Sequence, residues 1–558
     1  MKTRWRVTLA LLLAAVVRSV PADELADLRK LRDTTVDLVN ALVDQGVLTR
    51  AKADEIIRQA EQSATGSGES PAAADATAAS PAASAAAAQP AAPAPAPPPP
   101  PGVVRVPYIP EILKQQIRAE VKEDVLAQAK AERWGEPGSF PDWLRRFDFA
   151  GDLRLRAQLD RFPDGNAPNA PVAVLQAFGV NIANSTDANS RMRVRARFGF
   201  EASVADRVTV GLRLATGGVG TGSNPSSENQ TLGTYGTRSS VGFDRAYFTY
   251  RPADWLALSG GRVGNPFFRP TTLIWADDLS LEGLVAHVDT APGEDWSFVG
   301  TAGLFPILHN DPSPVSKSPS KWLSAYQLGF SATLGEDTHW KLGAALYDYR
   351  NIEGVPNPTA FSVEKSGTAA VFRQTGNTVF DINGLLNTQN GTQNYLWGLA
   401  SKFREANVSS SIDFGLTGST RVVFDADWVR NIGFKQSEIL ERTGYTVDRQ
   451  VDGWASRVTI GRATLKERHA WQAWAGYRNV QRDATLDAFT ETDFHLGGTD
   501  AKGYFLGARF AFAKATTIGV QWFSARQIDG VELAGADSVL KGLPLSIDVL
   551  QLDVNAAF

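Results

Sequence analysis

Arginines occupy alternate positions in one short stretch: Arg191, Arg193, Arg195 and Arg197 are separated by Met192, Val194 and Ala196, and Phe198, Phe200, Ala202 and Val204 extend the apolar row. Successive side chains of an extended strand point to opposite faces, so this spacing sets guanidiniums on one face and apolar groups on the other. Arg154 and Arg156 repeat the pattern against Leu153 and Leu155, Arg213 against Leu212 and Leu214, and Arg245 against Ala246 and Phe248. Asp244 breaks it, because strict alternation sends this carboxylate to the apolar side. Guanidinium does not shed its charge and grips carboxylate or phosphate in forked pairs. Two readings of the arginine wall follow. It attracts anions, or it braces the structure by pairing with Asp148, Asp152 and Glu201.

Other chemistry is poorly supplied. The 558 residues include no Cys and five His, so there is no thiolate nucleophile, no disulfide frame and no tight Cys/His metal spacing. No nucleophile elbow accompanies His469 or His495, and the chain is not expected to be an enzyme or to hold a cofactor or metal. The glycines from Gly217 to Gly222 lack the Lys-Ser/Thr of a phosphate loop and predict an external loop. Asp483, Asp487, Glu491, Asp493 and Asp500 match no EF-hand spacing and predict a solvated loop. A net charge of -4 argues against a nucleic-acid partner.

The elements that must carry the arginines come from the same period of two, which runs from about residue 145 to Phe558. The final segment alternates Leu550, Leu552, Val554, Ala556 and Phe558 with Gln551, Asp553 and Asn555. A soluble sandwich also alternates, but three features favour a transmembrane barrel. The segments suit the roughly 9–11 residues a tilted strand needs to cross a bilayer. Aromatics crowd near strand ends, at Phe147 and Phe149, Tyr247 to Tyr250, Trp471 and Trp474, and Trp522 and Phe523, which reads as an interfacial girdle. Connections alternate long and short, with short turns such as Ala205 to Arg207, Pro252 to Asp254 and Lys514 to Ala515. The expected fold is all-β, a transmembrane barrel of about 16 antiparallel strands over 145–558. The stretch at 408–416 carries the faintest strand pattern. An even count returns both ends of the barrel to the short-turn side, the periplasmic side of an outer-membrane barrel.

What precedes the barrel reads differently. Residues 1–22 carry Lys2, Arg4 and Arg6, an apolar run and Val20-Pro21-Ala22, the pattern of a signal peptide. Residues 23–62 space Leu28, Leu31, Leu38 and Leu42 as a helical coiled-coil segment. Residues 63–104 form an Ala/Pro-rich linker ending in Pro97 to Pro101. Residues 105–144 hold a helix and lead-in, with Leu113, Ile117, Val121 and Val125 in steps of four. No apolar run after the first 20 positions is long enough for a transmembrane helix.

Three stretches, Pro107 to Arg156, Asp244 to Phe268 and Asp483 to Gly503, resemble the bacterial outer-membrane family known as the "Putative porin" family, with likeness over roughly 105–558. The resemblance implies a barrel of 16 or a similar number of strands, in outer-membrane lipid and lipopolysaccharide, passing small hydrophilic solutes by passive diffusion. It implies that Phe558 is the assembly signal read by the barrel-insertion machinery. A homotrimer with its N-terminal extension in the periplasm is the expected form. The third long connection, Val263 to Ser280, holds the ordinal place of the inward-folding loop of general porins, and its Arg269, Asp277 and Asp278 are the candidate constriction residues. A different role also fits the sequence, with the barrel an anchor and the coiled coil tethering the envelope.

Overall fold

The computed structural model describes residues 144–168, 184–359, 362–384, 395–530, 533–534 and 544–558, and the backbone at 388–389 and 392–393. The signal peptide, coiled coil, linker and helix read before residue 144 lie outside the described residues. Sixteen antiparallel strands close into a barrel. In chain order they are β1 (Phe147–Arg161), β2 (Asn189–Ala205), β3 (Val208–Thr216), β4 (Val241–Ala253), β5 (Leu256–Gly264), β6 (Ser280–Thr290), β7 (Trp296–Leu308) and β8 (Lys321–Thr333). The second half comprises β9 (Thr338–Arg350), β10 (Phe403–Thr417), β11 (Thr420–Asn431), β12 (Asp452–Arg462), β13 (Trp471–Val480), β14 (Ala501–Ala513), β15 (Thr516–Gln527) and β16 (Ser546–Ala557). Each pairs with its sequence neighbours, and β16 pairs back onto β1 from Asp152↔Ala557 to Arg161↔Asp548. Closure leaves no sheet edge, so backbone donors and acceptors that lipid cannot satisfy are paired within the sheet. Among the described residues no helix is long and apolar enough to cross a membrane.

The alternation sorts the two faces as the sequence expects. Leu153, Leu155, Met192 and Phe198 point outward and are exposed on the isolated barrel, while Arg154, Arg156, Gln158 and Asp160 point in. Short turns use backbone that bends sharply: Arg207 (φ 63°), Gly335 (φ 82°), Gly418 (φ 56°) and Ala515 (φ 52°) adopt left-handed conformations. The register breaks beside the first of these turns, between Ser203 and Ala205, where a bulge matches strand twist to a tight hairpin.

Three expectations need correction. Asp244 does not face lipid: it is the extra residue of a β-bulge, because Arg213 pairs with Arg245 and Leu214 with Phe243, so Asp244 and Arg245 both turn inward. The girdle is thinner than the aromatic count suggests. Phe147, Phe149, Phe248, Trp471 and Trp522 face outward, but Tyr247 reaches Glu201, and Trp474 and Phe523 line the interior. Positions three apart, such as Trp471 and Trp474, necessarily fall on opposite faces. Finally, the carboxylates after β13 are not solvated. Asp483, Asp487 and Asp500 are buried, and Asp483 accepts the Thr378 N–H (2.9 Å) and hydroxyl (2.7 Å).

Long connections fold inward over one end. The described part of the connection between β9 and β10 knits to residues 481–500: Gln374 donates to the Asp487 and Thr490 carbonyls (2.9 and 2.8 Å), and Asn377 to those of Arg482 and Thr485 (2.7 and 2.9 Å). Such polar burial is tolerable because the groups bond one another.

Candidate pore lining and constriction

The arginines sort by partner. Arg191 pairs with Asp160 (2.9 Å), and Arg156 grips Asp553 (2.7 and 2.8 Å) and Asp493 (2.7 Å). Arg195 binds Asp152 and Asp278, both at 2.9 Å, and Arg197 binds Asp152 (2.5 Å) and Glu228 (3.3 Å). Arg213 joins Asp244 and Glu228 (2.9 Å). Arg245 has a looser contact with Asp244 (3.6 Å). Two stand apart. Among the described residues, Arg193 bonds the Gln158 amide oxygen (3.3 Å) and Arg154 that of Asn229 (2.6 Å), and no carboxylate comes to ion-pair distance of either. Of the proposed bracing acids, Asp152 takes two arginines, Glu201 takes the Tyr247 hydroxyl, and Asp148 is exposed.

The connection between β5 and β6, residues 265–279, crosses the interior. Phe268 exchanges hydrogen bonds with Gln327 on β8 (2.7 and 2.9 Å). Thr271 gives its N–H (3.0 Å) and hydroxyl to Asp427 on β11, and the Pro270 carbonyl accepts from Arg457 on β12 (2.7 Å). Trp275 is buried, edge-on to Tyr347 (5.1 Å between centroids) and stacked on Phe489 (5.8 Å). The loop then returns to β2 through Asp278, whereas Asp277 pairs with Arg269 of its own loop (2.6 Å).

Three cavities succeed one another along this interior. The first, about 380 Å³, takes in Asp160, Arg191 and Arg193 and meets the second at Thr492. The second, about 430 Å³, lies between the arginine wall and the crossing loop, and a third of about 320 Å³ meets it at Asp277, with Arg245 and Arg269 in its lining. The middle chamber gathers Arg154, Arg156, Arg195, Arg457, Arg478 and Arg509 against Asp277, Asp278, Asp425, Glu491 and Asp493. Opposed fixed charges of this kind set a field across any ion in the chamber.

Loop carboxylates respond to this crowding. Burial and then the neighbouring charge of Asp493 push Glu491 up to about 7, against the pull of Arg478 at 3.6 Å. Glu228 is likewise pushed up to about 7, by burial and by Asp278. Burial would raise Asp493 too, but Arg156 at 2.7 Å overrides it and holds this carboxyl below its ordinary range.

Sequence reasoning missed Arg457, Arg478, Arg509, Glu491 and Asp493 as chamber residues. Arg509 had a readable signal, since it alternates with Ala508 and Phe510. No group of acidic or histidine side chains among the described residues suits a metal. Phe558 exchanges backbone hydrogen bonds with Gly151 (both 3.0 Å) and lays its ring against Gly151 and Phe198, sealing the β1–β16 seam.

A comparison with curated proteins gives no match. Among solved structures, the chain is similar to the outer membrane channel DcaP of Acinetobacter baumannii at 11% identity, covering 74% of this chain and 97% of that one, with a TM-score of 0.38. It is similar to OprB of Pseudomonas putida at 10% identity, covering 74% and 94%, with a TM-score of 0.40. It is also similar to the trimer form of OmpT of Vibrio cholerae at 12% identity, covering 74% and 99%, with a TM-score of 0.37. The model of the family described as "Putative porin" matches residues 32–558, and the chain belongs to that family.

Proposed function

We propose that the chain is an outer-membrane porin: a water-filled channel through which small hydrophilic solutes diffuse passively, with anions favoured. The observation that carries the anion preference is the set of arginines without a carboxylate partner. Most guanidiniums of the wall are neutralised in pairs, but among the described residues Arg154 and Arg193 meet only amide oxygens, and Arg509 has no carboxylate at ion-pair distance. Their charge stays available to a passing ion. The channel needs neither cofactor nor turnover, and its sorting comes from the width and charge of the chamber behind the crossing loop.

In this reading the leader at 1–22 is removed on export. The coiled coil, linker and helix up to residue 144 then stand in the periplasm, the barrel assembles as a homotrimer in lipid and lipopolysaccharide, and Phe558 serves the insertion machinery. The test is the current carried by the purified chain in a planar bilayer, with the reversal potential read across a potassium chloride gradient. Steady steps with a shift toward the chloride potential are expected. Absence of current defeats the channel, and a shift toward the potassium potential defeats the preference. Removing residues 23–103 separates transport from tethering: current should persist, and loss of envelope attachment alone would assign the tether to that segment.

A further inference from the structure

Where β13, β14 and β15 face the middle chamber, the wall is aromatic: Trp474, Phe505 and Phe523 line it together with Arg509. Two of the rings lie over glycines directly across the strand. Trp474 pairs with Gly507 and Phe505 with Gly476, and a Cβ on either glycine would run into the ring opposite. The missing Cβ atoms let the indole and the phenyl lie along the wall instead of standing across the chamber. The Arg509 guanidinium lies over the Trp474 ring, 5.7 Å from its centroid, so that cation and indole form one surface. No carboxylate comes to ion-pair distance of Arg509 among the described residues, and Arg154 in the same chamber has only Asn229.

Guanidiniums without counter-charges beside flat aromatic faces form a two-part recognition surface. A phosphate would use the charges and leave the rings idle. A neutral sugar would use the rings and leave the charges idle. We infer that the chamber docks small organic acids that carry one carboxylate on a planar ring, the carboxylate on Arg509, whose guanidinium rests on Trp474, and the ring against Phe505. The inference rests on the channel reading and narrows its solute. A volume of about 430 Å³ suits such a molecule, small-ligand sites being roughly 300–1,000 Å³.

Benzoate is the probe, with acetate and benzyl alcohol as the half-ligands. Two readouts on the full mature chain keep the inference separate from the channel reading: saturable block of potassium chloride current in a planar bilayer, and heat of benzoate binding to the folded protein in detergent. Benzoate should block and bind with saturation, at concentrations about tenfold below those at which acetate or benzyl alcohol acts. Trp474→Leu and Arg509→Gln should each weaken benzoate about tenfold, a loss of about 1.4 kcal/mol. Trp471→Leu, on the outer face of the same strand, should leave benzoate unchanged. Binding heat without any current supports the site and overturns the channel. Current with no saturable benzoate effect, or equal effects of acetate and benzoate, overturns the site, as does unchanged benzoate affinity in both variants when gel mobility shows them folded.

Discussion

Replacing Arg154 and Arg509 together by Gln removes two charges from the middle chamber while keeping a hydrogen-bonding side chain at each position. The chamber then passes from six arginines against five carboxylates to four against five. A sphere of 430 Å³ has a radius of about 4.7 Å, which places a guanidinium at the wall about 6 Å from an ion at the centre. At that range a unit charge in water is worth about 0.7 kcal/mol, reduced by 0.1 M salt to about 0.4 kcal/mol. It favours an anion and penalises a cation equally, so each arginine lost should change the anion-to-cation permeability ratio about three- to fourfold, and both together about tenfold. In 1 M salt the Debye length falls to about 3 Å and the same substitution should change the ratio only about twofold. The assay is the reversal potential of wild type and variant at both ionic strengths. An unchanged ratio at 0.1 M, or an equal change at both concentrations, would refute the argument that these unpaired guanidiniums set selectivity through a screened field.

Selectivity should also follow pH. Glu491, pushed up to about 7, is neutral at pH 6 and charged at pH 8, so rising pH adds a negative charge to the chamber and should lower the anion-to-cation ratio about three- to fourfold in 0.1 M salt. Glu491→Gln should reduce that slope, leaving the part that Glu228, also pushed up to about 7, contributes. Asp427→Ala strands the Thr271 N–H and hydroxyl at a cost of about 1–3 kcal/mol, and the loosened crossing loop should appear as flickering in single-channel records. Gly507→Val forces the Trp474 indole off the wall; overpacking of about 1–3 kcal/mol should be relieved by swinging the ring into the chamber, seen as smaller unitary conductance.

All sixteen strands are legible in the sequence because lipid on one side and water on the other impose opposite chemistry on alternate residues. The pattern fades where that contrast ends. Strand β10 starts at Phe403 rather than near 408, since its first outward residue, Arg404, puts a charge where the pattern expects an apolar group. Asp244 misleads for a related reason: a bulge adds a residue and reverses the count, and nothing local marks it. The arginine row is visible for the same reason as the strands. Its partners are not, because Asp278, Asp493 and Asp553 arrive from connections and strands distant in sequence, 83 residues from Arg195 in one case and 337 and 397 from Arg156 in the others. Charge in the chamber is thus set by three-dimensional pairing, and a count of arginines along one strand overstates it.

The seam between β1 and β16 has a consequence for the order of events during assembly. Arg156 and Asp553, joined across that seam, lie 397 residues apart, and Gly151 meets Phe558 over a longer span still. The first strand to leave a ribosome therefore waits for the last before either has a partner on its outer edge. Such non-local closure is slow, because the entropy of a very long loop must be surrendered before the contacts that reward it exist. Throughout that interval two bare strand edges and alternating rows of Leu, Val and Phe stand open to pairing with other chains. The lifetime of the unclosed ribbon, more than the stability of the finished barrel, then determines how much protein reaches the membrane, and substitutions at the seam should act on yield before they act on melting.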